Sequence, residues 1–295
     1  METKTPRYQI AGRTVVLTGS TSDLGDALAR ALCNLGARLA LLDLDGQAAF
    51  EQAAQLGNET TARAWQADVR DLGSLTTAFD AAASHFGRVD IAIANASIDS
   101  FAPLEIIEPA LYERMIDVNL NGVWRTFRAA LPHVSEQHGY LLATSSMASD
   151  VRSPVQIPYG ASKAAVWAMC NSLRLEVRRL GVDVGSVHPA LFTPPKTDKL
   201  RNDATDDTCW TGHATTHQRA TSLDTVVQSI ITGIEGRAPQ IVAPRSPGPT
   251  ARPGLVRPYV GRRGHTDSSL PRAIDHVDPT NGTAHELGTP AAARP

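Results

Sequence analysis

The sequence predicts an α/β protein built on a doubly wound, parallel, seven-stranded sheet, and three observations carry that reading. From Arg13 to Val242, short β-branched or apolar runs alternate with Ala- and Leu-rich stretches of helical period, the pattern of repeated strand–helix–strand units. The strand segments are apolar almost throughout, as strands covered on both faces must be. The first strand runs into a glycine-containing turn and then a helix, the junction at which such sheets bind ligands.

In chain order, strands are expected at Thr14–Thr18, Arg38–Asp43, Arg63–Ala67, Ile91–Ala94, Tyr140–Thr144, Asp183–Val187 and Gln240–Ala243. Helical periods run over Leu24–Leu35, Leu72–Phe86, Pro109–Val134, Tyr159–Leu180 and Leu223–Glu235. Each of these stretches is long enough to carry the chain back over the sheet and start another parallel strand. The composition changes after Pro244: 15 of the last 52 residues are Pro or Gly, a level expected of disordered segments. Residues 1–245 are therefore read as a single folded domain and residues 246–295 as a disordered tail. The polar, aperiodic stretch 190–221 interrupts the sheet pattern and is read as a loop or lid over the substrate.

Composition narrows the function. The 295 residues carry 28 Lys and Arg against 30 Asp and Glu, a formal charge of −2, so no basic excess points to nucleic acid or an anionic membrane. Three widely spaced cysteines, Cys33, Cys170 and Cys209, contain no CxxC and make no disulfide framework. The N-terminus lacks an apolar signal region, and no apolar run reaches the roughly 18 residues of a membrane span. A cytoplasmic protein is expected. His213 and His217 lie four apart in GHATTH, but the Glu of HExxH and a third ligand are missing, so no metal site is expected.

The first strand leads into Thr18-Gly19-Ser20-Thr21-Ser22-Asp23-Leu24-Gly25 and the following helix. A glycine turn there frees backbone N–H groups and aims a helix N-terminus at a pyrophosphate, so Gly19, Thr21, Ser22, Asp23 and Leu24 are candidate cofactor contacts. The second strand ends at Asp43, 24 residues after Gly19, close to the roughly 20-residue spacing at which a carboxylate reaches the adenosine ribose hydroxyls. The carboxylate would repel a 2′-phosphate, and no Arg or Lys in the turn or just after Asp43 offsets it. NAD is preferred over NADP in this Rossmann-type arrangement.

The order of TGSTSDLG, Asp68-Val69, Asn95-Ala96-Ser97, Asn119, Ser145-Ser146 and Tyr159-Gly160-Ala161-Ser162-Lys163 resembles that of the short-chain dehydrogenase/reductases. The likeness spans about residues 8 to 244 and includes Ile116-Asp117-Val118-Asn119-Leu120-Asn121-Gly122. Ser146 lies 13 residues before Tyr159, and among five tyrosines only Tyr159 has a lysine four residues on. The resemblance implies an oxidoreductase that interconverts an alcohol and a ketone by hydride transfer, with Asn119, Ser146, Tyr159 and Lys163 as its catalytic set. It assigns Asp68 and Val69 to the adenine, Asn95 to the sheet beside the cofactor, and Lys163, with Tyr159, to the nicotinamide ribose. Pro189 and Thr193 fall to the nicotinamide end, and Asn119 to a water linking Lys163 with solvent. A homodimer or homotetramer is also implied.

Tyr159 and Lys163 stand at i and i+4, so both can converge on one ligand. The ammonium is expected to draw the phenol pKa down from about 10 toward working pH, helped by an oxidised nicotinamide. Ser146 would hold the substrate oxygen beside the phenol. The segments 147–158 and 190–221 are expected to wall an apolar substrate pocket with Val151, Val155, Ile157, Leu191, Phe192 and Trp210. Three departures from the family stand out: Asp23 replaces a glycine, Ser97 replaces another, and the stretch Pro189–Thr193 has Ala190 for glycine and is one residue short. Asp23, the short loop and the unusual tail motivate the alternative reading, a dinucleotide-binding regulatory or scaffold protein of the same fold with weak catalysis, whereas Ser97 is expected to change little.

Overall fold

The computed structural model describes residues 7–151, 154–193 and 221–244. Residues 194–220, with Cys209, Trp210, His213 and His217, and residues 245–295 lie outside the described residues, and with them most of the expected lid and all of the expected disordered tail.

Seven parallel strands form one sheet in the order β3-β2-β1-β4-β5-β6-β9. They are β1 (Thr14–Thr18), β2 (Arg38–Asp43), β3 (Ala62–Gln66), β4 (Ile91–Ala94), β5 (Tyr140–Thr144), β6 (Asp183–Pro189) and β9 (Gln240–Ala243). A short parallel pair, β7 (Phe192–Thr193) with β8 (Thr221–Ser222), forms a second, two-stranded sheet. The helices are α1 (Asp23–Asn34), α2 (Gly46–Leu56), α3 (Leu72–Phe86), α4 (Pro109–Ile116), α5 (Gly122–Glu136), α6 (Ile157–Val177) and α7 (Leu223–Glu235). The expected fold class holds, with β3 beginning one residue earlier than expected.

Successive strand residues point to opposite faces, and each face has its own core. Val15, Leu17, Leu39 and Leu41 pack with α1, α2 and α7, including Leu28, Leu32, Ile230 and Ile234. Val16, Ala40 and Leu42 pack on the other side with α3, α5 and α6, through Leu75, Phe79, Phe127 and Val166. Tyr140 is fully buried and donates its hydroxyl to Ala238 O at 2.6 Å, satisfying the one polar atom of a large core side chain.

Two elements correct the sequence reading. The helix expected over Pro109–Val134 is interrupted by a π-helical segment, Asp117–Asn121. The i→i+5 pattern there adds a residue to one turn, a device often found at functional sites. Helix α2 is not among the expected helices, although Asp45 signals it by accepting a hydrogen bond from Ala48 N at 3.0 Å.

The order 3-2-1-4-5-6 reverses direction between β1 and β4. Crossovers leave in opposite senses at that point and open a crevice beyond the strand C-termini.

Candidate active site

At the C-terminal end of β1, Gly19 adopts φ +63°, and a Cβ there would lie 2.6 Å from Ala96 Cα. Only glycine permits both that conformation and so close an approach of two backbones. A Cβ on Gly25 would meet Gly19 O at 2.2 Å, so this second glycine lets helix α1 start directly against the turn. Ser22 caps α1: its Oγ accepts from Gly25 N at 3.1 Å and donates to Gly19 O at 2.8 Å. Asn95, at the end of β4, donates to Gly19 O at 3.0 Å and to Ser22 Oγ at 3.2 Å. The turn is thus fixed from both sides, with the N-terminus of a 12-residue helix behind it.

The helix cap is Ser22, and Asp23 is the first helical residue and is half-buried. Leu24 packs its side chain in the core, so what it offers a ligand is its backbone N–H, one of the orphan donors of a helix start. Asp43 is 8% exposed at the end of β2. Its carboxylate accepts from Thr21 N at 3.0 Å, Thr21 Oγ1 at 2.9 Å and Asp45 N at 3.2 Å. The acid therefore braces the glycine turn from the β2 side.

Farther along the strand ends, Asp68 forms a bidentate ion pair with Arg70, the shortest contact 2.7 Å. The hydrogen bonds from Arg70 outweigh burial and hold its carboxyl below the ordinary value. Val69 is half-buried against the start of α5, where a Cβ on Gly122 would approach its Cγ2 to 2.9 Å.

The chemistry-bearing cluster gathers at the ends of β4, β5 and β6. Ser146 begins the turn after β5, and its Oγ accepts from Ala148 N at 3.1 Å. Helix α6 carries Tyr159 to the same end of the sheet, where the Ser146 side chain acts on the phenol and lowers its pKa. One turn on, Lys163 is 1% exposed, 5.4 Å from the Tyr159 ring centroid, and donates to Thr144 O at 3.0 Å. Among the described residues no carboxylate lies within salt-bridge distance of this ammonium. Burial draws the Lys163 pKa down to about 8, against the opposing charge of Asp99.

The expected lowering of Tyr159 is not what the chain by itself does. Burial, then the negative charge of Asp99, raises its pKa above the ordinary value, and the Ser146 hydrogen bond opposes them only in part. Desolvation of the buried phenol is the largest of these effects.

Asn119 sits in the π-helical segment and is fully buried. Its Oδ1 accepts from Ile98 N at 2.8 Å and Ser97 Oγ at 3.2 Å, while Nδ2 donates to Ile98 O at 2.8 Å and Ser162 Oγ at 3.3 Å. It clamps the loop after β4 to the Tyr159 helix. Ser97 is one arm of that clamp, a contact that a glycine lacks.

Three further residues belong to the site and were not singled out by the sequence. Asp99 accepts from Gln156 Nε2 at 3.0 Å and from Ser100 N at 2.7 Å. Gln156 is 3% exposed and immediately precedes α6. His188 is fully buried at the end of β6: Nδ1 lies 3.3 Å from Ser146 O and 3.1 Å from Ser149 Oγ, Nε2 2.9 Å from Ser186 Oγ, and Trp167 packs edge-on at 5.7 Å. Burial lowers its pKa to about 4, so it acts as a neutral strut between β6 and the Ser146 turn. A polar residue closing the apolar run of β6 was its signal.

Of the expected pocket wall, Val155 is buried at φ +58°, an unusual conformation for a β-branched residue and a store of strain. Its carbonyl accepts from Ala102 N at 2.9 Å, tying the loop after β5 to the loop after β4. Phe192 packs against the core beside α7, not freely along a pocket. Ala190, in the shortened loop after Pro189, donates its N–H to Ala243 O at 2.7 Å. Thr193 contributes its backbone to β7, and its side chain lies outside the described residues.

A profile of the short chain dehydrogenase family matches residues 13–205. Relatives include (-)-trans-carveol dehydrogenase of Rhodococcus erythropolis, 35% identical and covering 67% of this chain and 76% of that protein. D-threitol dehydrogenase of Mycolicibacterium smegmatis is 32% identical, covering 62% of this chain and 72% of its own. Among solved structures, a 3-ketoacyl-(acyl-carrier-protein) reductase from Brucella melitensis complexed with NADH shares the fold at TM-score 0.68 and 23% identity, with 79% of this chain and 97% of that one covered. The match over residues 13–205, together with the glycine turn at β1 and the Ser146–Tyr159–Lys163 cluster, makes this chain a member of the short chain dehydrogenase family of oxidoreductases.

Proposed function

We propose that the protein is an NAD-dependent oxidoreductase that interconverts a secondary alcohol and a ketone. The observation that carries this reading is a buried lysine, with no carboxylate at salt-bridge distance among the described residues, 5.4 Å from the ring of Tyr159, whose phenol the Ser146 side chain also reaches. A buried ammonium without a counter-ion is costly in a structural role, and beside a phenol it has a chemical one.

The residues fit a dinucleotide. The Gly19 turn admits no side chain, the N-terminus of α1 supplies donors for a pyrophosphate, and Asp43 stands at the strand end where ribose hydroxyls would lie. Asp43 disfavours a 2′-phosphate, hence NAD over NADP. Asp68, Val69 and Asn95 would serve the adenine and the sheet side of the cofactor, and Pro189 and Thr193 the nicotinamide end. The bound dinucleotide accepts or supplies the hydride.

The chain's own residues move the proton. In the reducing direction Tyr159, held as a neutral phenol by its burial, gives its proton to the carbonyl oxygen that becomes the alcohol. In the oxidising direction the phenolate takes the alcohol proton, and the Lys163 ammonium is the chain's means of making that phenolate accessible. Ser146 Oγ, fixed by Ala148 N, positions the substrate oxygen. Asn119 holds the loop after β4 and helix α6 in register. Alcohol-named relatives support the substrate class.

Titration with NADH and NADPH, followed by nicotinamide fluorescence, tests the reading. NADH should bind at least tenfold more tightly than NADPH, Asp43→Ala should erase that preference, and NAD should support oxidation of secondary alcohols. Dinucleotide binding without turnover would favour the scaffold reading, for which Asp23 in the turn is the specific argument. Binding of neither cofactor would overturn both.

A further inference from the structure

The loop after β4 and the start of α6 place two hydrogen-bond acceptors side by side within the electrostatic reach of the acid–base pair. Gln156 donates one Nε2 hydrogen bond to Asp99 Oδ2 at 3.0 Å. That bond fixes which way the amide is turned, because the carboxylate only accepts. Gln156 Oε1 is left buried, and it has no hydrogen-bond partner among the described residues. A buried carbonyl oxygen without a donor is destabilising by about 1–3 kcal/mol, and protein interiors rarely leave one without a use. Gln156 precedes Tyr159 by three residues on the same helix start, and Asp99 follows directly on Ile98, which Asn119 ties to that helix. The charge of Asp99 acts on both the Tyr159 phenol and the Lys163 ammonium. This wall of the site is thus polar and acceptor-rich where the sequence suggested an apolar one.

Resting on the function proposed above, we infer that Asp99 and Gln156 form a specificity site that accepts a second hydrogen-bond donor on the substrate, and that the favoured substrates are secondary alcohols bearing a neighbouring hydroxyl, the vicinal diols and polyols. A second substrate hydroxyl would satisfy the Gln156 oxygen, whose orientation the Asp99 carboxylate sets. A substrate lacking it leaves the Gln156 oxygen buried and unpaired. Sites built to hydrogen-bond a hydroxyl reject analogues without one far more strongly than apolar pockets reject an added one.

The test compares NAD-linked oxidation of 2,3-butanediol and 2-butanol, which share a reacting carbinol. The kcat/KM ratio of diol to mono-alcohol should exceed about tenfold in the wild type and fall at least tenfold in Asp99→Asn, with NADH affinity as the folding and cofactor control. Gln156→Met, which keeps the buried volume and removes the acceptor, should lower the same ratio. A ratio near one in the wild type, or one that neither substitution moves, overturns the specificity site while leaving the Tyr159 chemistry standing. If neither alcohol is oxidised, ligand-observed NMR of 2,3-butanediol with the NADH-bound protein decides. Binding that Asp99→Asn abolishes supports the site even though the catalytic reading fails, and no binding overturns it.

Discussion

At the N-terminal edge of the sheet the carboxylate of Asp90 is fully buried, and at the C-terminal edge the ammonium of Lys163 is 1% exposed. Asp90 is met by Arg13 at 2.6 Å and Arg88 at 2.5 Å and accepts from Thr14 N at 3.0 Å. Burial alone would raise its pKa, but the hydrogen bonds from Arg88, Arg13 and Thr14 outweigh it and hold the carboxyl below its ordinary value. Lys163 has a single backbone carbonyl, no carboxylate at bonding distance among the described residues, and a pKa drawn down to about 8. One buried charge is fully compensated and the other is left exposed to its own desolvation. A compensated charge fixes the fold, whereas an uncompensated one keeps free energy available for a ligand or a proton.

If the C-terminal edge is the chemical one, removing its acid–base group should abolish turnover and leave folding intact. Tyr159→Phe should lower NAD-coupled alcohol oxidation by about 10²–10⁴-fold, with a melting temperature no lower than that of the wild type. Retention of activity within tenfold would show that Tyr159 is not the acid–base group.

The opposite edge should behave in the opposite way. Asp90→Asn leaves two guanidinium groups facing a neutral amide, and breaking a buried pair in this manner costs about 3–5 kcal/mol. Urea unfolding should reveal that loss, while kcat per folded molecule changes little. Because the folded carboxyl pKa is depressed, the contribution of Asp90 is present above the unfolded value of 3.8 and is lost as pH falls through the folded one. A variant as stable as the wild type would mean that the ion cluster is dispensable.

The two edges also differ in how far the sequence reveals them. Strand order needs only apolar runs and crossover helices, so seven of the strands, the placing of Gly19, Asp43 and Ser146 at their C-terminal ends, and that of Tyr159 and Lys163 one turn apart on a helix were legible. Partners distant in sequence were not. Asp90 finds Arg13 across 77 residues, and Asp99 finds Gln156 across 57. Neither separation carries a periodic or motif signal. The π-helical segment is similarly silent, because Asp117–Asn121 is compatible with an α-helix and departs from it where Asn119 is held to Ile98. The direction of the Tyr159 shift was misread for a related reason: spacing reveals the neighbouring charge but not the depth of burial that opposes it.

The smallest effect isolates Lys163 itself. A pKa drawn from 10.5 to about 8 corresponds to a penalty on the folded protein of about 3 kcal/mol while the group is protonated in both states. The sign follows from proton counting: between about pH 8 and 10.5 the unfolded chain holds the proton that the folded chain has lost, so this group's contribution makes stability rise with pH. Lys163→Met has no such term. The variant should therefore be more stable than the wild type at pH 7, by up to about 3 kcal/mol less the lost hydrogen bond to Thr144 O, and the gap should close toward pH 10. Denaturant unfolding of both proteins at the two pH values measures it, and the difference between them cancels the other groups that titrate there. A gap that does not move with pH would mean that the ammonium is already compensated. The contrast with Asp90 would then fail, and with it the claim that the C-terminal edge holds its charge in reserve for chemistry.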